Sequence, residues 1–382
     1  MKENPLLKLK EFGQSIWLDF IRRDLITSGE LRRLINEVGL RGMTSNPSIF
    51  EKAIDGSRNY EEDIRIMAFE GQSPKMIYES LSQHDMRDAA DEFRPVYDET
   101  DARDGYVSLE VNPHLAHDTK GTIVEARRLW RALNRPNVFI KVPATTEGLP
   151  AIQQLISEGI NINVTLLFGL PRYRQVAAAY IAGIESRVAR RQSVKHVASV
   201  ASFFVSRIDS LVDPMLEKIA ARNGGEAEVA KKLRGQVAIA SATIAYQSCN
   251  GIFESKKFRK LADQGARVQR LLWASTGTKN PEYSDLKYVE SLIGPNTVNT
   301  LTLETLKAYR SHGDPKSRLD QDVEQASWVL QRLRKMGINI DQVTQQLEDE
   351  GVQKFAQAFD LLMNALKKKQ PATARVSTEG RI

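Results

Sequence analysis

The chain of 382 residues is long enough to bury a large core, and its 41% hydrophobic and 27% charged residues are typical of a soluble globular protein. Its net charge of +6 does not indicate a nucleic-acid-binding surface, because residues 367–382 alone carry five basic side chains and one acidic side chain. Cys249 is the only cysteine, which excludes an intramolecular disulfide, and no apolar run is long enough to span a membrane. Because the N-terminal segment also lacks the apolar core of a signal peptide, we expect a cytoplasmic protein that binds neither nucleic acid nor membrane.

Short apolar runs alternate with helical patterns along the chain. The first two runs, 15–21 and 39–47, are separated by a predicted helix whose apolar residues recur with helical spacing over 31–38. Thr27 and Glu30 have the spacing of a capping box, which predicts the start of this helix. The next segment is charged and helical, and we interpret it as an insertion.

This insertion covers about residues 51–104 and has breaks near Gly71 and Pro74. Six further apolar runs follow, at 106–111, 138–144, 161–168, 194–205, 268–275 and 296–302. Helical patterns are predicted over 119–134, 147–158, 206–263, 317–336 and 341–367, with one more helix that begins at Pro171. Residues 370–382 have the composition of a disordered tail.

Eight strand candidates separated by helices predict an α/β fold with a parallel sheet. Eight strands permit closure into a (β/α)8 TIM barrel. An open doubly wound sheet is the alternative, although no G-x-G-x-x-G follows the first strand. We expect a single barrel domain over 1–369, with helical insertions and a flexible C-terminal tail at 370–382.

Polar side chains lie inside or at the end of these apolar runs. A buried charge is costly unless it is paired, and barrels form their active sites at the C-terminal ends of the strands. Several strands that each contribute a polar group there are the expected layout of a catalytic site. The residues concerned are Asp19, Asn46, Glu110, Lys141, Asn163, Thr165, Ser202 and Ser275.

Lys141 lies between Ile140 and Val142, and we expect its side chain to point into the barrel. Burial removes the water that stabilises an ammonium group, so it favours the neutral amine, which can attack a ketone to form an iminium, or Schiff base. The iminium withdraws electrons and eases cleavage of the bond between the carbons α and β to the original carbonyl. The alternative is a structural lysine paired with Asp19 or Glu110, and the pattern alone leaves both open.

Several segments resemble one known family. GMTSNPSIF (42–50) and VFIKVPATTEGLPAI (138–152) resemble the two signature segments of the transaldolases, and GININVTLLFGL (159–170) resembles the segment after the second signature. The segments around Asp19 and Glu110, and SFFVSRID (202–209), fit in the same order. The resemblance extends from about residue 14 to residue 302 and is closest to the longer branch of the family.

The resemblance implies a (β/α)8 barrel and a Schiff-base enzyme of the non-oxidative pentose phosphate pathway, with no cofactor and no metal. The family transfers a dihydroxyacetone unit from sedoheptulose 7-phosphate to glyceraldehyde 3-phosphate, which gives erythrose 4-phosphate and fructose 6-phosphate. The implied partners are therefore phosphorylated ketose and aldose sugars. The helical insertions leave the oligomeric state open between a monomer and a homodimer.

The resemblance also implies catalytic roles. Lys141 matches the Schiff-base lysine, and Asp19 matches an aspartate that exchanges a proton with the substrate hydroxyl during cleavage. Glu110, through a water held near Thr165, matches the general acid/base for forming and hydrolysing the Schiff base. For both carboxylates the alternative is simple charge neutralisation of Lys141.

Six further residues are implied in substrate binding. Asn46 and Asn163 match residues that hold the hydroxyls of the dihydroxyacetone unit, and Ser202 lies near them. The alternatives are a turn residue before a proline for Asn46 and a buried serine bonded to the backbone for Ser202. The other three residues, Arg207, Ser275 and Lys279, are implied in phosphate binding.

The phosphate-binding residues show where this chain departs from the shorter members of the family. Arg207 matches an arginine after strand six, with a helix-surface charge as the alternative. The shorter members carry an arginine soon after the serine that Ser275 matches, whereas here the nearest cation is Lys279. Lysine can hold phosphate as a point charge but lacks the fork of a guanidinium group.

Two other functions stay open on the sequence. One is an aldolase that uses the same lysine chemistry on fructose 6-phosphate and releases free dihydroxyacetone. The other is a sugar-phosphate-binding barrel without catalysis, since fold does not imply function. Product analysis with and without an aldose phosphate acceptor would separate these functions.

Overall fold

The protein folds as a closed barrel of eight parallel strands, seen in a computed structural model that describes residues 4–55, 57–222 and 224–369. The strands pair in sequence order, and the last pairs with the first. This confirms the predicted TIM-barrel fold and excludes the open sheet, while the predicted tail at 370–382 lies outside the described residues. The strands are β1 Gln14–Asp19, β2 Gly42–Thr44, β3 Tyr106–Glu110, β4 Val138–Pro143, β5 Ile162–Leu167, β6 Ser199–Phe204, β7 Arg270–Ala274 and β8 Thr297–Leu301.

Helices connect the strands on the outside of the barrel. Within the described ranges, none of them is long and apolar enough to cross a membrane. The helices are α1 Pro5–Lys8, α2 Arg23–Thr27, α3 Glu30–Arg33, α4 Pro47–Asp55, α5 Glu61–Phe69, α6 Pro74–Glu99, α7 Thr119–Leu133, α8 Gly148–Glu158, α9 Leu170–Ala189, α10 Ser206–Ala220, α11 Gly225–Leu233, α12 Val237–Phe253, α13 Lys256–Ala262, α14 Lys287–Ser291, α15 Leu303–His312, α16 Val323–Lys335 and α17 Ile340–Lys369.

The capping box predicted at Thr27 and Glu30 is wrong. Thr27 is the last residue of α2, and its hydroxyl donates to the carbonyl of Arg23 (3.1 Å). Gly29, in the left-handed conformation with φ 79°, separates α2 from α3. The two residues of the expected cap therefore lie on different helices, because a glycine in the left-handed conformation interrupts the helix between them. The predicted helical pattern over 31–38 continues from α3 into one π-helical turn, Leu34–Val38.

Two other predicted segments have different outcomes. The breaks near Gly71 and Pro74 are confirmed, since α5 ends at Phe69 and α6 begins at Pro74. The helix predicted over 317–336 is partly wrong, since α16 begins only at Val323. Before it, the backbone N–H groups of residues 318 and 319 donate to one carbonyl in the connection from α14 to β8 (3.0 and 3.1 Å), so this segment is held by tertiary contacts and not by helical bonds.

A buried polar network fills the N-terminal end of the barrel. Arg270 and Asp104 form an ion pair of 3.1 Å, and Arg270 also donates to the hydroxyl of Ser15 (2.6 Å) and the carbonyl of Thr297 (2.8 Å). Asp104 accepts further hydrogen bonds from Ser15 (2.7 Å) and the indole of Trp17 (3.2 Å). The buried carboxylate and guanidinium at this end of the barrel are therefore paired with each other within the protein.

Candidate active site

A cavity of about 470 Å³ lies at the C-terminal ends of the strands, where TIM barrels place their active sites. Eight of the ten predicted site residues line it. The other two, Glu110 and Asn163, are buried and contact lining residues instead. The eight lining residues are Asp19, Asn46, Lys141, Thr165, Ser202, Arg207, Ser275 and Lys279.

Lys141 places an amine at the cavity wall. Its side chain is only 6% exposed, and Nζ donates to the carbonyl of Ser45 (3.0 Å). Nζ also lies 3.4 Å from Oε2 of Glu110, because these two residues are direct partners in the register of β3 and β4. The pairing with Glu110 that was predicted as an alternative is therefore present, and the amine also borders the cavity.

Glu110 is a carboxyl group that can exchange protons near neutral pH. Burial raises its pKa to about 7, against the attraction of the Lys141 charge, and the nearby Asp19 adds to the rise. Within the described chain, neither Glu110 oxygen accepts a hydrogen bond, and the hydroxyl of Thr165 also has no partner. Glu110 also borders a second cavity of about 10 Å³, close to the volume that one water needs.

Asp19 is the last residue of β1 and is held by a pair of threonines. Thr44 donates to Oδ1 of Asp19 (2.8 Å), and its own hydroxyl lies 2.8 Å from that of Thr300. Burial raises the pKa of Asp19, while the Lys141 charge and the Thr44 hydrogen bond oppose this rise. The sequence analysis overlooked both threonines, although the alternation of side chains along β2 and β8 could have placed them on the inner face.

The predicted hydroxyl-binding residues fall into two groups. Asn46 lines the cavity and uses Oδ1 to cap α4, accepting from the N–H of Ile49 (3.1 Å), so it is also a turn residue as the alternative held. Asn163 does not line the cavity: its amide donates to Ser108 (3.1 Å) and accepts from Ser202 (2.6 Å). Ser202 is thus bonded to a side chain, not to the backbone as its alternative required.

Irregular backbone accompanies two of the lining residues. Leu166, directly after Thr165, has a φ of 54°, and the register between β5 and β6 shifts at this point. Ser275, directly after β7, has a φ of 55°. Positive φ values are costly for residues other than glycine and occur often at functional sites, where bulges redirect side chains.

Arg207 and Lys279 give the cavity a cationic side. Arg207 lies in the first turn of α10 and packs against the ring of Phe204 (5.4 Å from its centre), while Lys279 lies in the connection from β7 to β8. Burial lowers the pKa of both cations, and Asp19 opposes this effect. Neither side chain forms an ion pair of 4.0 Å or less with a carboxylate of the described residues, so both can bind an anionic ligand.

The mouth of the cavity carries two further cations that the sequence analysis did not single out, Arg22 and Lys52. Among the described residues that line the cavity, two are acidic, Asp19 and Glu304, and five are basic, including Lys141. An excess of positive charge in a concave site favours phosphorylated ligands. In the part of the chain that the structure describes, no cluster of three or more histidine, cysteine or acidic side chains is arranged to hold a metal ion.

Known proteins resemble this chain along almost its whole length. The family described as Transaldolase/Fructose-6-phosphate aldolase matches residues 16–366. The protein named Transaldolase from Trichodesmium erythraeum is 49% identical over 373 residues, which cover 97% of this chain and 98% of the relative. Transaldolase 2 from Nostoc sp. is 48% identical with the same coverage, and Transaldolase from Saccharopolyspora erythraea is 44% identical over 94% of this chain and 96% of the relative.

Proposed function

This chain belongs to the transaldolase/fructose-6-phosphate aldolase family, and we propose that it is a transaldolase of the pentose phosphate pathway. It transfers a dihydroxyacetone unit from sedoheptulose 7-phosphate to glyceraldehyde 3-phosphate, and the products are erythrose 4-phosphate and fructose 6-phosphate. The observation that carries this proposal is the buried amine of Lys141, which borders a cationic cavity and lies 3.4 Å from a carboxyl group with a pKa of about 7.

The first step forms the Schiff base. The neutral amine of Lys141 attacks the ketose carbonyl, and the resulting carbinolamine loses its hydroxyl as water to give the iminium. Glu110, through a water that it shares with Thr165, moves one proton from the attacking nitrogen to the former carbonyl oxygen, and the second proton that this oxygen needs to leave as water comes from the solvent. This role is supported by the pKa of Glu110 and by the buried side-chain oxygens of both residues, which make no hydrogen bond within the described chain, although buried polar atoms normally make one.

The second step breaks the carbon–carbon bond. Asp19 accepts the proton of the hydroxyl on the β-carbon, the bond between the α- and β-carbons breaks, and its electron pair moves to the iminium to form an enamine. The aldose leaves, and the three-carbon unit stays bound to Lys141. A second aldose phosphate then accepts the carbon, Asp19 returns the proton, and water releases the new ketose. The raised pKa of Asp19 supports its role as a base in this step.

Substrate binding uses the two sides of the cavity. Asn46 and Ser202 bind hydroxyls of the dihydroxyacetone unit, and Asn163 orients Ser202 through their 2.6 Å hydrogen bond. Arg207, Ser275 and Lys279 bind the phosphate group that the donor sugar and the acceptor sugar each carry. The absence of ion pairs on the two cations among the described residues supports this assignment.

The organisation of the chain is also a proposal. The closure of β8 onto β1 supports a single domain over 1–369, with a helical insertion at 51–104 between β2 and β3. The lone Cys249 supports a location in the reducing cytoplasm. We propose that the protein acts there as a monomer or homodimer.

The proposal is tested by product analysis with fructose 6-phosphate as the donor. With erythrose 4-phosphate present, we expect equal amounts of glyceraldehyde 3-phosphate and sedoheptulose 7-phosphate. Without the acceptor, we expect little free dihydroxyacetone. Acceptor-independent release of dihydroxyacetone would instead identify an aldolase, and folded protein that binds the sugar phosphates without any turnover would identify a non-catalytic barrel.

A further inference from the structure

A polar cluster of three buried residues and one half-buried residue lies on the chain segments that carry the two proposed phosphate-binding cations. It consists of two carboxylates on α10, Asp209 and Asp213, and two tyrosines that follow β7, Tyr283 and Tyr288, and we call it the Asp–Tyr clasp. Tyr288 donates to Oδ2 of Asp209 (2.9 Å), and Tyr283 donates to Oδ2 of Asp213 (2.7 Å). The mechanism proposed above assigns no role to these four residues.

The clasp joins the two chain segments that carry Arg207 and Lys279. Asp209 lies two residues after Arg207 in the same helix, and Tyr283 lies four residues after Lys279. Four residues span at most about 14 Å when fully extended, so fixing Tyr283 restricts the positions that Lys279 can reach. A second link, from the N–H of Ser206 to the carbonyl of Ser275 (3.1 Å), joins the same two segments beside the cavity.

Each oxygen of both clasp carboxylates accepts a hydrogen bond. Oδ1 of Asp209 accepts the N–H of Ala238 (2.7 Å), and Oδ1 of Asp213 accepts the N–H of Gly235 (2.8 Å). Since α12 begins at Val237, the clasp also fixes α12 against α10. Removal of the Tyr283 hydroxyl would therefore break one of the bonds that hold the β7–β8 connection, while the contacts between the two helices stay in place.

The environment of the clasp makes the tyrosine hydroxyls necessary. Asp209 is 1% exposed and Asp213 is 5% exposed, and the two charges repel each other. Burial together with this repulsion raises the pKa of Asp209 to about 7, whereas the Lys287 charge lowers it. Lys287 lies over the ring of Tyr283, 3.5 Å from its centre. A buried carboxylate is costly without hydrogen-bond donors. The hydrogen bonds from Tyr283 and Tyr288 to these carboxylates therefore hold the loop that carries Lys279 in place.

We propose that the Asp–Tyr clasp positions Lys279 against Arg207 and thereby sets the preference of the enzyme for phosphorylated acceptor sugars. This inference rests on the proposed transaldolase function. Tyr283 is a positioning residue, since it acts through Lys279 and lines no part of the cavity. Without its hydroxyl, Lys279 is displaced and the phosphate loses part of one charged contact, while the chemistry at Lys141 is untouched.

The test replaces Tyr283 by phenylalanine and compares erythrose 4-phosphate with erythrose as acceptors at saturating fructose 6-phosphate. We expect the KM for erythrose 4-phosphate to rise roughly tenfold, because part of a hydrogen bond to a charged group is lost. The kcat with this acceptor and the kcat/KM for erythrose should stay at the wild-type values. Tyr309→Phe is the matched control, since Tyr309 is a buried tyrosine whose hydroxyl has no partner in the described part of the chain.

A double-mutant cycle with Lys279→Ala separates positioning from general loosening. If Tyr283 acts through Lys279, adding Tyr283→Phe to Lys279→Ala should raise the KM for erythrose 4-phosphate no further. Equal losses with both acceptors, or additive losses in the double variant, would overturn the proposal. If Tyr283→Phe does not fold, Tyr288→Phe is expected to give the same acceptor-dependent change and replaces it.

Failure of the proposed function would be recognised separately. Wild-type protein that transfers to neither acceptor would disprove the transaldolase assignment. The clasp would then be tested through the dissociation constant for inorganic phosphate, measured by calorimetry. Tyr283→Phe should weaken phosphate binding roughly tenfold, and Tyr309→Phe should not change it. Unchanged phosphate binding in Tyr283→Phe would overturn the clasp in this case too.

Discussion

Replacing Glu110 by glutamine removes the ionisable group next to the Lys141 amine and leaves a side chain of nearly the same size. Glu110 Oε2 lies 3.4 Å from the Lys141 amine, and the carboxylate side chain is only 2% exposed. The substitution therefore changes the proton chemistry of a buried site while it leaves the shape of the barrel close to the original. We expect it to slow the formation of the Schiff base.

The pH dependence of Schiff-base formation follows from the raised Glu110 pKa of about 7. About one tenth of Glu110 is ionised at pH 6 and about nine tenths at pH 8, and only the ionised form can take the amine proton. The wild-type rate of Schiff-base formation should therefore rise roughly tenfold from pH 6 to pH 8. In the other direction, the rate should fall as the pH drops below 7 and Glu110 becomes protonated. A glutamate with its ordinary pKa would be ionised throughout this range and would contribute no inflection near pH 7. In Glu110→Gln the rate should fall by roughly 10²–10⁴ and the inflection near pH 7 should disappear.

The assay measures the initial rate at which the borohydride-trapped adduct with fructose 6-phosphate accumulates. Samples are quenched rapidly at pH values from 6 to 8. Glu125→Gln is the matched control, because Glu125 lines the same small cavity but pairs with Arg128 at 3.1 Å. This control should keep the wild-type rate and profile. A Glu110→Gln variant that stays within a factor of about three of wild type, or that keeps the inflection near pH 7, would refute the role of Glu110 as a general acid/base, whose removal costs at least about a hundredfold.

Three further substitutions have distinct expected outcomes. Asp19→Asn should still form the Schiff base but slow bond cleavage by roughly 10²–10⁴, so borohydride should trap the intact ketose phosphate on Lys141, as mass spectrometry can show. Arg207→Ala should raise the KM for fructose 6-phosphate roughly tenfold or more in steady-state kinetics, because a charged contact with phosphate is lost. Arg270→Leu should lower the free energy of unfolding by about 3–5 kcal/mol in urea titrations, because it leaves the Asp104 carboxylate buried without its partner.

For each of these three substitutions, a specific result would contradict the prediction. A three-carbon adduct that accumulates at the wild-type rate in Asp19→Asn would remove Asp19 from bond cleavage. An unchanged KM in Arg207→Ala would show that this arginine does not bind phosphate. For Arg270→Leu, the control adds Asp104→Asn, which should recover part of the lost free energy. Equal stability of the single variant and wild type would show that the ion pair does not stabilise the barrel.

The sequence was sufficient for the strands and for grouping most of the residues that border the cavity. Each strand is an apolar run of few residues, because a barrel strand is covered on both faces, and this pattern is local. Polar residues such as Lys141 and Asp19 stand out within such runs because a buried charge is costly. Because barrel strands are parallel, their C-terminal ends meet at one face, and residues far apart in sequence can be grouped there from the sequence alone.

The features that were missed depend on tertiary contacts. α15 was not predicted, and Lys52 and Phe355, on α4 and α17, reach the cavity only because these helices fold over the mouth of the barrel. Glu110 lies outside the main cavity, and Asn163 lies behind Ser202. Both positions depend on the register and side-chain packing of the strands. No local pattern in the sequence encodes these distances. The family resemblance indicated candidate site residues but not which of them border the cavity.

Borohydride trapping with fructose 6-phosphate, followed by intact and peptide mass spectrometry, tests the central claim most directly. The Schiff-base mechanism predicts one adduct of dihydroxyacetone size, located on Lys141, and none in Lys141→Ala. Such an adduct would show both that the iminium forms on this lysine and that the aldose half has left. Folded wild-type protein that is labelled on no lysine, or on a lysine other than Lys141, would contradict the account.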